Sequence, residues 1–279
     1  MEQETIQLKM IQWAQLEIQF NWAYLGCPVT LTGFYHGIDP PVWLLYRGQL
    51  EIDYEDGLSD RFSAPCWVFP RAIPGQRQFS ADTHALIINF RLAWPDHHHL
   101  FRRLSHYSQP ANAFPLLEKY GLELARMAAT HFPDARNRIP FALAPPLLYF
   151  QLQQKFYQWL TQYIQVMNAL EIPYHLMAPI DPRLQRALDF IVRHPYHRPF
   201  PVEVCARHAG CSLSTLNRLF VQQFGKTPVQ YYNWRRLEFA RTLLSSSSLS
   251  IKALTSELGF SSPPHFSRWF KQQTGLTPT

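Results

Sequence analysis

Cysteine is scarce in this chain, and its four cysteines do not form a metal or redox motif. They stand at positions 27, 66, 205 and 211, so none belongs to a C-x-x-C pair. This spacing excludes a zinc ribbon and a thioredoxin-like redox site. Free thiols are typical of a reducing compartment, and they predict a cytoplasmic protein.

Long apolar runs are also missing. No uninterrupted stretch of the sequence approaches the ~18–20 apolar residues that a membrane helix needs. The first residues, Met1 to Glu4, do not combine a basic segment with an apolar one, as a secretory leader does. The sequence therefore predicts a soluble protein with no membrane partner.

The histidines lack the spacing of a metalloenzyme. His36 and His84 stand singly, with no H-x-H partner, so they do not form a metal-ligand set. Residues 97–99 are all histidine, but consecutive side chains point in different directions, which predicts a solvated loop. We therefore expect no metal, no cofactor and no catalytic residue, and hence no enzyme.

Excess positive charge is absent from the first two thirds of the chain. The formal net charge is +6, yet residues 1–180 contain 13 Lys and Arg against 15 Asp and Glu. Residues 181–279 contain 13 Lys and Arg against five Asp and Glu. This asymmetry predicts a polyanion partner for the C-terminal part alone.

The same pattern occurs twice in this basic part, 50 residues apart. The first copy reads L-x-R-x-F from Leu216 and is followed by GKTP from Gly225. The second reads F-x-R-x-F from Phe266 and is followed by GLTP from Gly275. A short apolar helix pattern that ends in glycine precedes each copy. The repeat predicts two structural units of the same kind.

Each copy has the features of a helix-turn-helix. In the first, Ala206 and Ala209 are small enough for two helices to cross closely, Gly210 supplies a tight turn, and Ser212 can cap the next helix. The polar face of that next helix suits base edges and phosphates in a major groove of double-stranded DNA. The predicted DNA-binding residues are Ser212, Ser214, Thr215, Asn217, Arg218 and Gln222 in the first copy, and Ser262, His265, Ser267, Arg268 and Lys271 in the second.

These spacings resemble the DNA-binding region of the AraC/XylS (arabinose-regulator) family of bacterial transcription factors, whose members carry two helix-turn-helix units joined by a long helix. The resemblance covers residues 181–279. It departs from the family pattern at Pro263 and Pro264, which remove backbone donors from the second reading helix. The second unit is therefore expected to read bases less directly than the first.

The resemblance implies a ligand-responsive, sequence-specific transcription regulator, of carbohydrate or related catabolic genes, that acts as a homodimer and can contact RNA polymerase. Two other functions stay open on the sequence. One is a cupin-type metal enzyme fused to a DNA-binding domain. The other is a nonspecific architectural DNA-binding protein, which would explain the charge but not the size of the N-terminal half.

Residues 1–110 are predicted as β structure, because short apolar strands alternate with turn residues. A hairpin is predicted at Arg47-Gly48, between strands 42–46 and 50–54. The layout resembles the cupin-like β-barrel sensor half of many arabinose-type regulators. A small-molecule effector, for instance a sugar, would be bound at the barrel mouth by Tyr35, His36, Trp43, Arg47, Trp67 and His84; the alternative is that these aromatic residues only form the core.

Residues 111–172 are predicted as a helical dimerisation segment. Apolar residues at alternating spacings of three and four form a heptad seam. The seam residues assigned to the dimer are Leu152, Phe156, Trp159, Tyr163 and Val166, with internal packing as the alternative.

The predicted architecture is thus α+β, with a proline-containing linker at 173–181 and an all-α double helix-turn-helix domain at 182–279. Asp181 is expected to cap the first helix of that domain. Thr227 and Gln230 form a capping box for a connecting helix of about 17 residues, or roughly 25 Å. Thr277-Pro278 repeats this start signal where the sequence stops, so a last helix is expected to be truncated.

Overall fold

A computed structural model describes residues 8–35, 39–96, 98–103, 105–135, 139–175, 180–246, 251–274 and 277–278. The chain divides into two compact units, Met1–Leu176 and Met177–Thr279. No helix in the described part of the chain is long and apolar enough to cross a membrane.

The N-terminal unit contains nine described strands and three α-helices. The strands are β1 Glu17–Gly26, β2 Gly33–Tyr35, β3 Val42–Arg47, β4 Gln49–Tyr54, β5 Ser59–Ser63, β6 Cys66–Phe69, β7 Gly75–Phe79, β8 His84–Ala93 and β9 Tyr107–Pro110. The helices are α1 Met10–Trp13, α2 Pro115–His131 and α3 Pro146–Ala169.

The strands form two sheets rather than one closed barrel. The order in the five-stranded sheet is β1-β8-β3-β6-β9, and the order in the four-stranded sheet is β2-β7-β4-β5. Every described strand pair is antiparallel. The N-terminal unit is therefore sheet-rich, as predicted, but its described strands do not close into a barrel.

The hairpin predicted at Arg47-Gly48 is wrong. β3 pairs with β6 and β8, whereas β4 pairs with β5 and β7, so the turn carries the chain from one sheet to the other. Residues 42–45 of β3 are buried on both faces, which requires another layer of the fold on each side of its sheet. Gly48 has a φ of +82°, a backbone conformation that glycine adopts without strain.

The five-stranded sheet has one face against the helices. Phe90 of β8 packs on Trp159 and Tyr163 of α3, with ring centroids 4.9 and 5.0 Å apart. Trp43 of β3 instead packs edge-on against Phe79 of the other sheet, at 6.1 Å. The unit thus has three layers, with the five-stranded sheet in the middle.

The described residues of the C-terminal unit form helices and the loops between them, with no strand. Its helices are α4 Pro182–Arg193, α5 Val202–Ala209, α6 Leu213–Phe224, α7 Pro228–Ser246, α8 Ile251–Glu257 and α9 Pro263–Thr274. One buried cluster is formed by α4 to α6 and the start of α7, and a second by the rest of α7 with α8 and α9. Tyr196 packs against both clusters.

The predicted helix starts are present. The Asp181 carboxylate accepts from the Arg183 backbone N–H at 2.8 Å at the start of α4. At the start of α7, Thr227 N–H donates to Gln230 Oε1 at 2.8 Å, and Gln230 N–H donates to Thr227 Oγ1 at 3.3 Å. The connecting helix α7 has 19 residues, two more than predicted.

Candidate nucleic-acid interface

The first reading helix, α6, is held by its cap and by its buried stripe. Ser212 Oγ accepts from the Thr215 backbone N–H at 3.2 Å. Leu216 and Phe220 are fully buried, and the Phe220 ring packs on Tyr231 of α7 at 5.4 Å. The opposite face of α6 is left to solvent, which is the arrangement that a reading helix needs.

The exposed face of α6 carries the residues predicted from the sequence. Ser214, Arg218 and Gln222 are exposed and follow one another at intervals of four, so they lie on one face of the helix. Asn217 is partly exposed beside them. Ser212 also donates to Thr215 Oγ1 at 3.0 Å, so these two hydroxyls are engaged in the cap.

The second reading helix, α9, is built in the same way. Ser262 Oγ accepts from the His265 backbone N–H at 3.4 Å, and Phe266 and Phe270 are buried. The exposed residues His265, Arg268 and Lys271 are spaced by three, and Ser267 is partly exposed. Pro263 and Pro264 occupy the first two helical positions, as the sequence indicated, and offer no backbone N–H.

In each helix-turn-helix an arginine side chain donates hydrogen bonds to a backbone carbonyl of the turn. The sequence analysis did not predict these two arginines. Arg186 Nε and Nη2 of α4 donate to the Ala209 carbonyl at 3.1 and 2.7 Å, beside Gly210. Arg236 Nη2 of α7 donates to the Leu258 carbonyl, beside Gly259. The two arginines are 50 residues apart, so the repeat period would have found them.

Burial alters the ionisation of several groups near these turns. Desolvation lowers the pKa of Arg236, whose guanidinium lies 4.1 Å from the centre of the Phe260 ring. Burial raises the pKa of the Cys205 thiol to about 12, which makes it an inert apolar residue at physiological pH. Cys205 therefore fills a buried position without exposing a reactive thiol.

The predicted effector residues do not come together in one place. Trp43 lies opposite Val68 and Trp67 lies opposite Leu44 in the pairing of β3 with β6. Because facing residues of an antiparallel pair share one side of the sheet, Trp43 and Trp67 point to opposite sides. They cannot line one pocket.

The remaining predicted effector residues lie elsewhere or outside the described structure. Arg47 is exposed and stands opposite the partly buried His84 at the end of β3. His36 and the side chain of Tyr35 lie outside the described residues. The barrel mouth that these residues were expected to form is not assembled by the part of the chain that the structure describes.

The five predicted dimerisation residues lie inside the N-terminal unit. All five are at most 7% exposed, and they pack between α3 and the five-stranded sheet. Phe156, for example, contacts Phe20 and Phe90 with ring centroids 5.3 and 6.2 Å apart. A side chain buried in the monomer has no surface left for a partner, so the assignment of this seam to a dimer is corrected to internal packing.

The histidine run is not a wholly solvated loop. His99 is 5% exposed, and its Nδ1 accepts from the Phe101 backbone N–H at 3.1 Å. Desolvation lowers the pKa of His99 well below its usual value, so it is neutral at physiological pH. His98 is exposed, and His97 lies outside the described residues.

His99 belongs to a buried polar cluster that sequence reasoning also missed. Arg103 is 1% exposed and donates from Nη2 to the Pro40 carbonyl at 2.8 Å. Its Nε and Nη1 have no hydrogen-bond partner among the described residues, and the same holds for His99 Nε2, Trp159 Nε1 and Tyr163 Oη. Burial raises the pKa of Tyr163, so its hydroxyl stays protonated.

A family model described as a helix-turn-helix domain matches residues 205–279. The arabinose operon regulatory protein of Escherichia coli is 33% identical over 104 residues, which are 37% of this chain and 36% of that protein. The regulator ArgR of Pseudomonas aeruginosa is 35% identical over 97 residues, 35% of this chain and 29% of that protein. The regulator GlxA of Rhizobium meliloti is 43% identical over 81 residues, 29% of this chain and 25% of that protein.

These matches cover at most 36% of the length of the three relatives. All three relatives are transcription regulators.

Two solved structures are each similar to about a third of the chain, 35% in both cases. An AraC-type regulator from Chromobacterium violaceum is 36% identical and covers 35% of this chain and 86% of its own, with a TM-score of 0.32. The DNA-binding domain of AdpA, solved in complex with a target DNA, is 32% identical with the same two coverages and a TM-score of 0.31.

Proposed function

We propose that the chain belongs, through its C-terminal unit, to the AraC/XylS family of transcription regulators, and that the whole protein is a ligand-responsive, sequence-specific regulator that binds promoter DNA in the cytoplasm. Carbohydrate or related catabolic genes are its proposed targets. The N-terminal unit is the proposed sensor, with a cupin-like origin, and the C-terminal unit is the proposed reader.

One observation carries this proposal. The same helix-turn-helix is built twice, and each copy presents a polar, basic face on its second helix while it buries the other face. Arg218 and Arg268 occupy the same exposed position in the two helices. Connecting helix α7 is about 28 Å long at ~1.5 Å per residue, close to one turn of duplex DNA. We propose that α6 and α9 enter successive major grooves.

The two units are proposed to read DNA unequally. Asn217 and Arg218 can make bidentate contacts to adenine and guanine, each worth ~1–3 kcal/mol of discrimination. The prolines at the start of α9 offer no donor there. Arg218→Ala should therefore relax the preferred sequence, whereas Arg268→Ala should weaken binding to all sequences and reduce the salt dependence.

The test is selection of bound sequences from a random DNA library by the full chain and by each variant. Arg193→Ala is the matched control, because it removes the same charge from an exposed position on α4. If Arg218→Ala gives the same consensus as Arg193→Ala while Arg268→Ala relaxes it, the roles of the two units are reversed. If the wild-type protein selects no consensus, sequence-specific reading is wrong.

A homodimer remains part of the proposal, with a different face of α3 as its surface. Leu147, Phe150 and Tyr157 are 71%, 67% and 48% exposed, and they lie along one side of the helix. A second copy of the chain is the proposed partner, since two readers on a palindromic site bind more tightly than one. Phe150→Glu should give a folded monomer by sedimentation, whereas Lys155→Glu on the neighbouring face should leave the dimer intact.

The buried polar cluster is the proposed effector site, in place of the barrel mouth. A buried guanidinium with two unsatisfied nitrogen donors is costly, and a ligand with several oxygen atoms would supply the missing acceptors. A sugar or sugar acid fits these donors. It would lie beside Arg103, near His99 and Tyr163, in the interior of the N-terminal unit.

Arg103→Met tests the effector site. Without ligand, the variant should be at least as stable as the wild type, because it removes a buried charge. It should also lose the rise in melting temperature that an effector, found by screening sugars and sugar acids on the wild type, produces. A variant that still responds to this compound would show that the effector is bound elsewhere.

A further inference from the structure

Two histidines and a carboxylate from distant parts of the N-terminal unit meet at one place. Asp96 and His98 lie in the loop after β8, and His175 comes 79 residues after Asp96. His175 Nε2 is 2.9 Å from Asp96 Oδ2, and His98 Nδ1 is 3.4 Å from Asp96 Oδ1. One ligand-type atom of each residue lies within 4.8 Å of the corresponding atoms of the other two.

These separations suit a tetrahedral metal ion. Zinc–nitrogen and zinc–oxygen bonds of ~2.0–2.2 Å place neighbouring ligand atoms about 3.3 Å apart at the tetrahedral angle. The two distances from Asp96, 2.9 and 3.4 Å, lie on either side of this value. The ligand nitrogens of the two imidazoles lie within 4.8 Å of each other, so a bound metal would draw the two rings closer together.

The backbone around the three residues is held in place by hydrogen bonds. The Trp94 backbone N–H donates to the His98 carbonyl at 2.9 Å, and Trp94 Nε1 donates to the His175 carbonyl at 2.6 Å. The His175 backbone N–H donates to the Leu100 carbonyl at 2.8 Å. Asp96 Oδ1 accepts from the His98 backbone N–H at 3.0 Å. The loop and the chain at His175 are thus fixed to each other before any ion is bound.

The site is closed on one side and open on the other. The side chains of Asp96 and His175 are 15% and 19% exposed, whereas that of His98 is 67% exposed. The two imidazole rings are stacked, with centroids 4.4 Å apart, and both approach the same carboxylate. The open side leaves room for a water molecule as a fourth ligand.

We propose that Asp96, His98 and His175 form a binding site for a divalent transition-metal ion of the zinc class. Imidazole and carboxylate ligands suit Zn²⁺, and they also bind Co²⁺ and Ni²⁺. Bound metal would fasten the loop after β8 to His175, near the end of the N-terminal unit, and so stabilise that end. The site does not depend on the proposed regulatory function or on the effector cluster.

The test is a titration of the full chain with Co²⁺, followed by its visible absorption. The wild type should bind one ion through nitrogen and oxygen ligands. His98→Ala and Asp96→Asn should weaken binding by more than the ~10–100-fold that loss of an outer-shell partner causes. Because His98 is exposed, His98→Ala should fold normally, and Asp96→Asn keeps an acceptor for the turn. Zn²⁺ should raise the melting temperature of the wild type and not that of His98→Ala.

His106→Ala is the matched control. His106 Nδ1 lies 2.7 Å from Asp60 Oδ1, a histidine–aspartate pair for which the described residues supply no third ligand. This variant should bind cobalt as the wild type does. A thiolate-to-cobalt absorption band, or equal binding by the wild type and His98→Ala, would place the ion elsewhere and overturn the proposal.

Discussion

Gly259 lies where the turn of the second helix-turn-helix meets the loop between α4 and α5. Its φ of +69° is in the left-handed region, and a Cβ added there would lie 2.3 Å from the His197 carbonyl oxygen. Gly225, at the end of α6, has a similar φ of +65°, yet an added Cβ would meet nothing within 4 Å. An alanine at either position would have a similar backbone strain, but only an alanine at Gly259 would also make a steric clash. Comparison of the two variants therefore separates the two effects.

Replacing each glycine by alanine should have unequal effects on stability. The left-handed conformation costs an alanine ~1–2 kcal/mol, and the loss of freedom in the unfolded chain returns ~0.4–1 kcal/mol in both variants. Gly225→Ala should therefore destabilise the C-terminal unit by about 1 kcal/mol. Gly259→Ala adds a contact far below the ~3.5 Å optimum, against backbone that cannot rotate away. Overpacking of this kind costs ~1–3 kcal/mol more.

Urea unfolding of the full chain, followed by circular dichroism and fitted with one transition for each unit, measures both variants. Gly259→Ala should lower the midpoint of the C-terminal transition by clearly more than Gly225→Ala does, and leave the N-terminal transition unchanged. Equal shifts for the two variants would refute the close approach of His197 to Gly259. They would also refute the packing of the loop between α4 and α5 against the second helix-turn-helix.

Three further predictions concern caps, core and thiols. The hydrogen bond from Arg183 lowers the pKa of Asp181 to about 2, so its helix cap should persist at pH 4 and be lost as the pH falls through about 2; Asp181→Ala should cost ~1 kcal/mol in urea unfolding at neutral pH, and Asp181→Asn much less. Trp159→Ala should destabilise the N-terminal unit by ~3–5 kcal/mol, because it removes a fully buried ring from the core. If Trp159 were only a dimer contact, the stability of the monomer would be unchanged. A thiol reagent should modify exposed Cys27 in the native protein and leave Cys205 unreacted until the chain unfolds.

The sequence predicted the C-terminal unit well because its signals are local. The cap at Ser212, the turn at Gly210 and the stripe from Leu216 to Phe220 all lie within about three turns of helix of one another. The role of Arg186 was not predicted, because its acceptor, the Ala209 carbonyl, is 23 residues away. A backbone carbonyl is present in every residue, so the sequence of the turn does not indicate this contact.

The N-terminal unit was predicted less well because its contacts are long-range. An apolar strand such as β3 does not reveal its partners, and a shift of one residue exchanges the two faces of a sheet. Trp43 and Trp67 therefore looked alike in the sequence and lie on opposite sides. The apolar face of a helix with a heptad pattern can pack on a sheet as well as on a second helix. The partner of the seam at Phe156 and Trp159 therefore could not be assigned from its spacing alone.

Comparison of α6 with α9 distinguishes the positions that folding constrains from the positions that can differ between the two halves of the DNA reader. The buried positions match across the repeat, since Leu216 corresponds to Phe266 and both are apolar and fully buried. Among the exposed positions the arginine recurs, whereas Asn217 is replaced by serine in the second copy. Core packing constrains the buried positions in both copies, because each helix-turn-helix depends on its buried apolar residues to fold. The recurring arginine suits a contact to phosphate or guanine in either half, and the position of Asn217 is where the two halves can differ in the base they read.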